Sequence, residues 1–430
     1  MTLGSPHPVD PASIMAHVRH LAEGIGTRLA GSEQEQEAAD YVQAQMQRIG
    51  LQGVQQQPFD CKWYEVRSAG LQARFGAQWR TMVMDAVANT PSTNGVLEAE
   101  LVYVETATDE ILDRLDLKDK VALVHGTYGS NTRMIQRFRE MEVAAVIWTD
   151  VRYPMEWNIL VGLPWSFLPI FDFPAASVPH SVEWELVQGG VDRVRLNLDV
   201  VVEDRRSQNV VGYLPGKSPD GGVLVCGHHD TVRNSTGAED NAAGVACALA
   251  VAEAIADVEL QHPVYFVSFG TEEQLSQGSF VFVDEPANRA EQLDLVLNVD
   301  GQGCWTGENE VYLTGSPELH RYMRGQMTDH GWAGVIRDEP DGFSDHFPFI
   351  CKGVPAAWFH RRNCAGGRWF HHSIHETVAV LSPRVLADCA NLVADLAVDV
   401  AGRQAPPFSG EFPQETQDAV RRVAEGWLTV

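Results

Sequence analysis

Apolar residues near the N-terminus repeat at helical spacing: Ile14, Val18 and Leu21 predict a first helix, and Ser32 with Glu35 has the form of a capping box opening a second helix that ends at Gly50. The period then changes. VLEAELVYVET (96–106), KVALVHGTYG (120–129) and AAVIWTDV (144–151) alternate or run β-branched, with a helical segment from Asn131 to Met141 between the last two, so this middle block reads as a separate strand-rich unit. NVVGYLP and VLVCGHHD come next as two apolar strands joined by GKSPDGG, whose Asp220-Gly221 is a turn signal. From there strand and helix alternate: VLVCG, a helix from about Asn241 to Ala256, VYFVSFG, a helical stretch near 275–290, DLVLNVD, and PAAWFH. That order predicts an α/β fold with a mainly parallel (mixed) sheet flanked by helices on both faces. Ser382-Pro383 has the form of an N-cap and first helical residue before an amphipathic helix, and a Pro-rich connector at 403–413 leads to a short tail helix.

Composition narrows what such a fold does. The chain has 430 residues, 44% of them hydrophobic, which is enough for roughly two or three domains. Against 58 acidic residues stand 32 Lys and Arg, a formal charge of −26 that opposes binding to nucleic acid or an anionic membrane and favours cationic ligands. The first residues show no basic region followed by an apolar one, and the apolar stretch from Ala242 contains Glu253 and is too short to span a bilayer; a cytoplasmic enzyme with no membrane segment is the expectation. Seven cysteines in an odd, scattered set without CxxC pairing read as thiols in a reducing compartment, none spaced as a zinc cluster. Oligomeric state stays open, a homodimer included.

The informative residues sit where the apolar runs stop. Gly227-His228-His229-Asp230 comes after VLVC, Glu239-Asp240-Asn241 precedes the long helix, Glu272-Glu273 comes after VYFVSFGT, and Asp300 after LVLNV. In a parallel α/β sheet these positions share the carboxyl edge, where ligands bind. One acid at a strand end is commonplace; four in succession repel unless divalent cations use them as ligands. Imidazole and carboxylate without thiolate suit zinc first, with manganese or cobalt as alternatives, and more than four ligands imply two ions.

These residues resemble the co-catalytic dizinc exopeptidases, the family of bacterial leucyl aminopeptidases and glutamate carboxypeptidase-like enzymes. The resemblance runs from 207 to 400 and includes GTRLAGSEQEQEAADYV at 26–42. It implies His228 as a metal ligand oriented by Asp230, Asp240 as the acid bridging both metals through a cis peptide to the next residue, Asp300 and Glu273 as further ligands, and Glu272 as general base. In WFHHSIHET the family pattern puts the last ligand four residues before an acid followed by Thr, which selects His372 and leaves His371 and His375 as neighbours. One ion then takes His228, Asp240 and Asp300, the other Asp240, Glu273 and His372. KDKVALVHGTYG, EVAAVIWTD and FPAASVPHSVEWELVQGG resemble a protease-associated domain inserted at about 85–200, leaving 1–84 and 201–430 as the catalytic domain.

The chemistry implied is hydrolysis of a peptide bond, or of another small amide, by a metal-activated water that gives its proton to Glu272. An aminopeptidase is favoured because an acidic chain offers partners to a free α-ammonium; a carboxypeptidase, a dimetal amidohydrolase or deacylase, and a non-catalytic binding protein on the same scaffold are the alternatives. Ser344-Asp345-His346 is too local for a nucleophilic triad and is expected beside the substrate instead. Arg361, Arg362 and His371 are further candidates for substrate contact, the arginines for a carboxylate.

Overall fold

The structure, a computed structural model, describes residues 5–126, 132–149, 165–364 and 368–428; the ends of the segments expected at 127–131 and 150–151 lie outside them. Helix α1 (Pro11–Arg19) starts where the Asp10 carboxylate accepts from Ala12 N, and α2 (Glu33–Ile49) starts where the Ser32 hydroxyl accepts from Glu35 N at 3.1 Å and stops at Gly50 in the left-handed region. The Glu35 side chain does not close a capping box. It reaches back to Gly31 N and across to the Ser207 hydroxyl, 2.6 Å from each.

The chain next runs through β1 (Gln52–Phe75), β2 (Gln78–Met82), β3 (Asp85–Ala86), β4 (Leu97–Tyr103), α3 (Asp109–Leu112), β5 (Val121–His125), α4 (Thr132–Glu140), β6 (Ala145–Thr149), β7 (Ala175–Val178), α5 (His180–Gln188) and β8 (Arg193–Leu214). Strands β4, β5, β6 and β7 are parallel neighbours in that order, with β8 antiparallel on β4 and β3 antiparallel on β7. Contacts divide the chain into two units, Lys62–Arg205 with Glu425–Val430, and Met1–Cys61 with Arg206–Ala424. Residues 62–84 therefore pack with the middle block, because the polar, 24-residue β1 pairs there with β2.

The chain continues with β9 (Val223–His228), α6 (Ala243–Ile255), β10 (Val264–Phe269), α7 (Gln277–Asp284), β11 (Leu295–Val299), β12 (Glu308–Thr314), α8 (Pro317–Asp329), β13 (Gly334–Arg337), α9 (Phe347–Cys351), β14 (Ala356–Arg362), α10 (Pro383–Ala401) and α11 (Gln414–Leu428), of which the residues from Glu425 belong to the middle unit. The sheet order is β13-β12-β14-β11-β9-β10-β8, and β14, β11, β9 and β10 run parallel. The two strands joined by GKSPDGG do not pair: β10 lies between them, parallel to β9 and antiparallel to β8. The helix expected near 275–290 is α7 alone, since Pro286 and the left-handed Arg289 break residues 286–292 into two single turns.

Both faces of the central strands are buried, as parallel strands require. Val223, Val225, Leu295, Leu297 and Val299 pack with α1, α2, α6 and α10 in one apolar cluster, while on the opposite face Phe269 packs against Phe282 and Phe349 of α7 and α9. No helix among the described residues is long and apolar enough to cross a membrane.

One glycine fixes how closely α6 approaches the strand ends. A Cβ on Gly244 would lie 2.0 Å from the Val299 carbonyl and 2.4 Å from Asn241 Oδ1. Gly244→Ala must push α6 away from β11, one residue from Asp300, and we expect a loss of about 1–3 kcal/mol of stability together with weakened metal retention, measured by thermal denaturation and zinc analysis; unchanged melting would remove this constraint.

Candidate functional site

Every strand end named from the sequence delivers its side chain to one cluster at the carboxyl edge of the sheet. His228 ends β9, and its Nε2 lies 3.0 Å from Asp240 Oδ1, 3.6 Å from Asp300 Oδ1 and 3.8 Å from Glu272 Oε2. The other Asp240 oxygen, Oδ2, faces a second set: Arg368 Nη2 at 3.0 Å, His371 Nδ1 at 3.1 Å and His372 Nε2 at 3.3 Å. His372 Nε2 also lies 2.9 Å from Glu273 Oε2. One carboxylate thus stands between two groups of ligand-type atoms, His228 and Asp300 on one side, His372 and Glu273 on the other. The peptide from Asp240 to Asn241 is cis.

The backbone explains how adjacent acids share a site. Strand β10 ends at Phe269, Thr271 turns into the left-handed region with φ 57°, and Glu272–Gln274 form a single 3-10 turn. Period-2 alternation has ended before the acids, so neither is sent to the far face. The Asp230 carboxylate holds the turn, accepting from Glu272 N at 2.9 Å and Glu273 N at 3.1 Å, while its Oδ1 also lies 3.4 Å from His228 Nδ1. Asp230 therefore positions the acid pair as well as the imidazole, a role its place in the HxD pattern does not reveal.

A second ring of contacts fixes the first. Glu376 Oε1 accepts from the backbone N–H of Glu239 (3.0 Å) and Asp240 (2.7 Å). Fully buried Arg28, from the GTRLAG stretch, donates to the carbonyls of Leu21, Gly26, His229, Thr236 and Gly237 and so clamps the two loops that carry His228 and Asp240. Ser344 donates to Asp300 Oδ2 and accepts from Asn298 Nδ2, both at 2.6 Å. Ser344, Asp345 and His346, expected beside the substrate, are fully buried and face inward: Asp345 accepts from Ser279, and the His346 ring packs on Trp358. They support the site from behind. Arg361 donates to the Cys304 carbonyl and Asn309, and Arg362 to Glu308, so both guanidiniums are engaged along the β12–β14 edge. Arg368 is a buried cation that the sequence does not announce; in GGRW it looks like any loop arginine, and only the fold brings it to Asp240.

The electrostatics are those of a cation site. Burial, reinforced by Asp345, Asp300 and Glu273, lifts the Glu272 carboxyl well above its ordinary range, with His228 pulling the other way. Burial acts to lower His228 and His372, yet the surrounding acids outweigh it, leaving His228 well above the usual imidazole value and His372 at about 10. Glu273 Oε1 and Asp300 Oδ1 are buried without a hydrogen-bond partner among the described residues. Orphaned carboxylate oxygens beside strongly basic imidazoles are atoms awaiting a dication, and the set of two imidazoles and three carboxylates is a zinc-type donor set large enough for two ions. His228, Asp240 and Glu273 are close enough together to hold one ion, as are Asp240, His371 and His372.

Residues 209–397 match the model of peptidase family M28. Probable leucine aminopeptidase 2 of Aspergillus fumigatus is 24% identical over 346 residues, 76% of this chain and 67% of that protein. Aminopeptidase YwaD of Bacillus subtilis is 23% identical over 414 residues, covering 91% and 85%. Among solved structures, a zinc aminopeptidase from Bacillus subtilis superposes with TM-score 0.75 at 22% identity over 95% of this chain and 99% of that one. A peptidase M28 precursor from Shewanella amazonensis superposes with TM-score 0.79 at 20% identity, over 94% and 95%. The stretch that carries His228, Asp240, Glu272, Glu273, Asp300 and His372 is thus similar to the M28 peptidases, and the α/β architecture is that of the solved aminopeptidase structures.

Zinc held by His228 and His372 would displace their protons, so affinity should rise with pH up to about 10 and fall as pH drops. Competition with a chelator of known proton affinity measures this, and a pH-independent affinity would contradict it. Glu376→Ala frees the Asp240 backbone and should weaken zinc binding about 10- to 100-fold while the fold persists; wild-type affinity would show that this carboxylate does not position the site.

Proposed function

We propose that the chain is a metal-dependent aminopeptidase that removes the N-terminal residue of peptides, using two zinc ions, one held by His228, Asp240 and Asp300 and the other by Asp240, Glu273 and His372. The observation that carries this is the Asp240 carboxylate, which presents one oxygen to His228 and the other to His372. When bound, the ions supply a water of lowered pKa and polarise the scissile carbonyl.

The chain's own residues do the rest. Glu272 Oε1 accepts from the Ser276 hydroxyl at 3.2 Å, which leaves Oε2 directed toward His228 as the oxygen that takes a proton. Burial raises this carboxyl well above its ordinary range, so it holds a proton more readily than an exposed glutamate and suits a base that takes a proton from the attacking water and returns it to the leaving amine. Asp230 keeps Glu272 and Glu273 in their separate roles through the two N–H bonds it accepts.

A carboxypeptidase would need a free cation for the substrate carboxylate. Arg361 and Arg362 are occupied along β12, and Arg368 is engaged with Asp240. A surplus of buried acid, Glu239 among it with neither oxygen hydrogen-bonded among the described residues, suits an α-ammonium better. The names of the aminopeptidase relatives support the same reading. The middle unit, with strands β4 to β7 parallel, we read as a protease-associated-like domain. The seven unpaired cysteines accord with a cytoplasmic location.

Zinc-loaded enzyme given free, N-acetylated and C-amidated dipeptides should cleave those with a free amino end whatever the state of the carboxyl end; turnover of N-acyl substrates would overturn the reading. Glu272→Gln should lower kcat by about 10²- to 10⁴-fold with both zinc ions retained, and near-normal turnover would remove Glu272 as the base.

A further inference from the structure

A second, separate group of metal-ligand side chains lies wholly within the middle unit. His125 is the last residue of β5, and His180 and Glu183 sit one helical turn apart on α5, just beyond the end of β7. His125 Nδ1 lies 2.7 Å from Glu183 Oε1, His180 Nδ1 lies 3.2 Å from Glu183 Oε2, and the two imidazole rings are 5.9 Å apart. These three can converge on a single ion. We propose that they form a third divalent-metal site, independent of the catalytic pair, for a zinc-type ion that prefers two imidazoles and one carboxylate.

The topology places the group where a parallel sheet binds ligands. Tyr103 ends β4, His125 ends β5, Thr149 ends β6 and α5 comes after β7, so four successive strands meet at this edge. Glu183 is 3% exposed, and its ion-pair partners among the described residues are the two imidazoles, with the Tyr103 hydroxyl as a further hydrogen-bond partner. No lysine or arginine is among those partners, so the imidazoles are the ligand-type groups that face the carboxylate, and a metal ion would replace their hydrogen bonds with direct ligation. The imidazoles are about one-third exposed, at 34% and 30%, which gives an ion access and leaves room for water in the remaining coordination position. The spacing between nitrogen and carboxylate oxygen, 2.7–3.2 Å, resembles the 2.9–3.3 Å between His372 and the carboxylates of Glu273 and Asp240. Once bound, the ion would tie the carboxyl end of β5 to the first turn of α5. The HxxE pair is a weak signal in sequence, because its third member lies 55 residues earlier in VALVH.

Zinc content of the full-length protein, loaded and then passed through a desalting column, tests this. Wild type should carry three zinc ions per chain, and His125→Asn with His180→Gln should carry two with dipeptide turnover intact. Asp240→Asn with His372→Ala, which disables the catalytic pair, should keep the third ion. That arm separates failure of this proposal from failure of the aminopeptidase reading. Equal zinc in wild type and the His125/His180 variant overturns the proposal, as does an additional ion bound only at millimolar zinc. In the unmutated chain, zinc should shield His125 and His180 from diethylpyrocarbonate; equal modification of the stripped and loaded protein would also overturn it.

Discussion

The site depends on Asp240 being held between two sets of ligand-type atoms. Its Oδ1 faces His228 and its Oδ2 faces His372, His371 and Arg368. A buried carboxylate is unfavourable without compensation, and here compensation comes from both sides at once, so a shift of Asp240 toward either set would leave the other unbalanced. The two sets of ligand-type atoms, Glu272 beside them and the Arg28 and Glu376 contacts behind them are arranged around that one side chain.

Several unrelated parts of the sequence converge to fix it. Glu376 grips its backbone N–H from beyond His372, Arg28 reaches in from the N-terminal segment to the carbonyls that flank it, and Gly244 lets α6 start close against β11. Asp300 opposite is held by Ser344 and by the Trp358 indole, which donates to its carbonyl. These contacts span residues 28 to 376, so the GTRLAGS stretch helps to hold the site although it lies outside the matched residues 209–397.

Periodicity governs how much of this is legible in the sequence. Each apolar strand can be read there, and so can the acids at its end, because a carboxylate without a partner is unfavourable inside a buried strand. His372 can be chosen over His371 and His375 in the sequence only through family resemblance; in the fold both His371 and His372 lie against Asp240, and His372 also lies 2.9 Å from Glu273 Oε2. Arg368 and Arg28 are not legible, because a lone arginine in a loop carries no local sign of burial. The 24-residue β1 escapes notice because its exposed, glutamine-rich face lacks clean alternation. Ser344-Asp345-His346 belongs to the site as its sequence position suggests, but sequence cannot tell front from back, and burial decides that the stretch supports Asp300 from behind.

The most direct test of Asp240 as the shared ligand is anomalous diffraction at the zinc absorption edge from crystals of the zinc-loaded protein. Two peaks are expected in the cluster, one on each side of the Asp240 carboxylate, one contacted by His228 and Asp300 and the other by Glu273 and His372. A single peak there, or two peaks that do not share Asp240, would contradict that role.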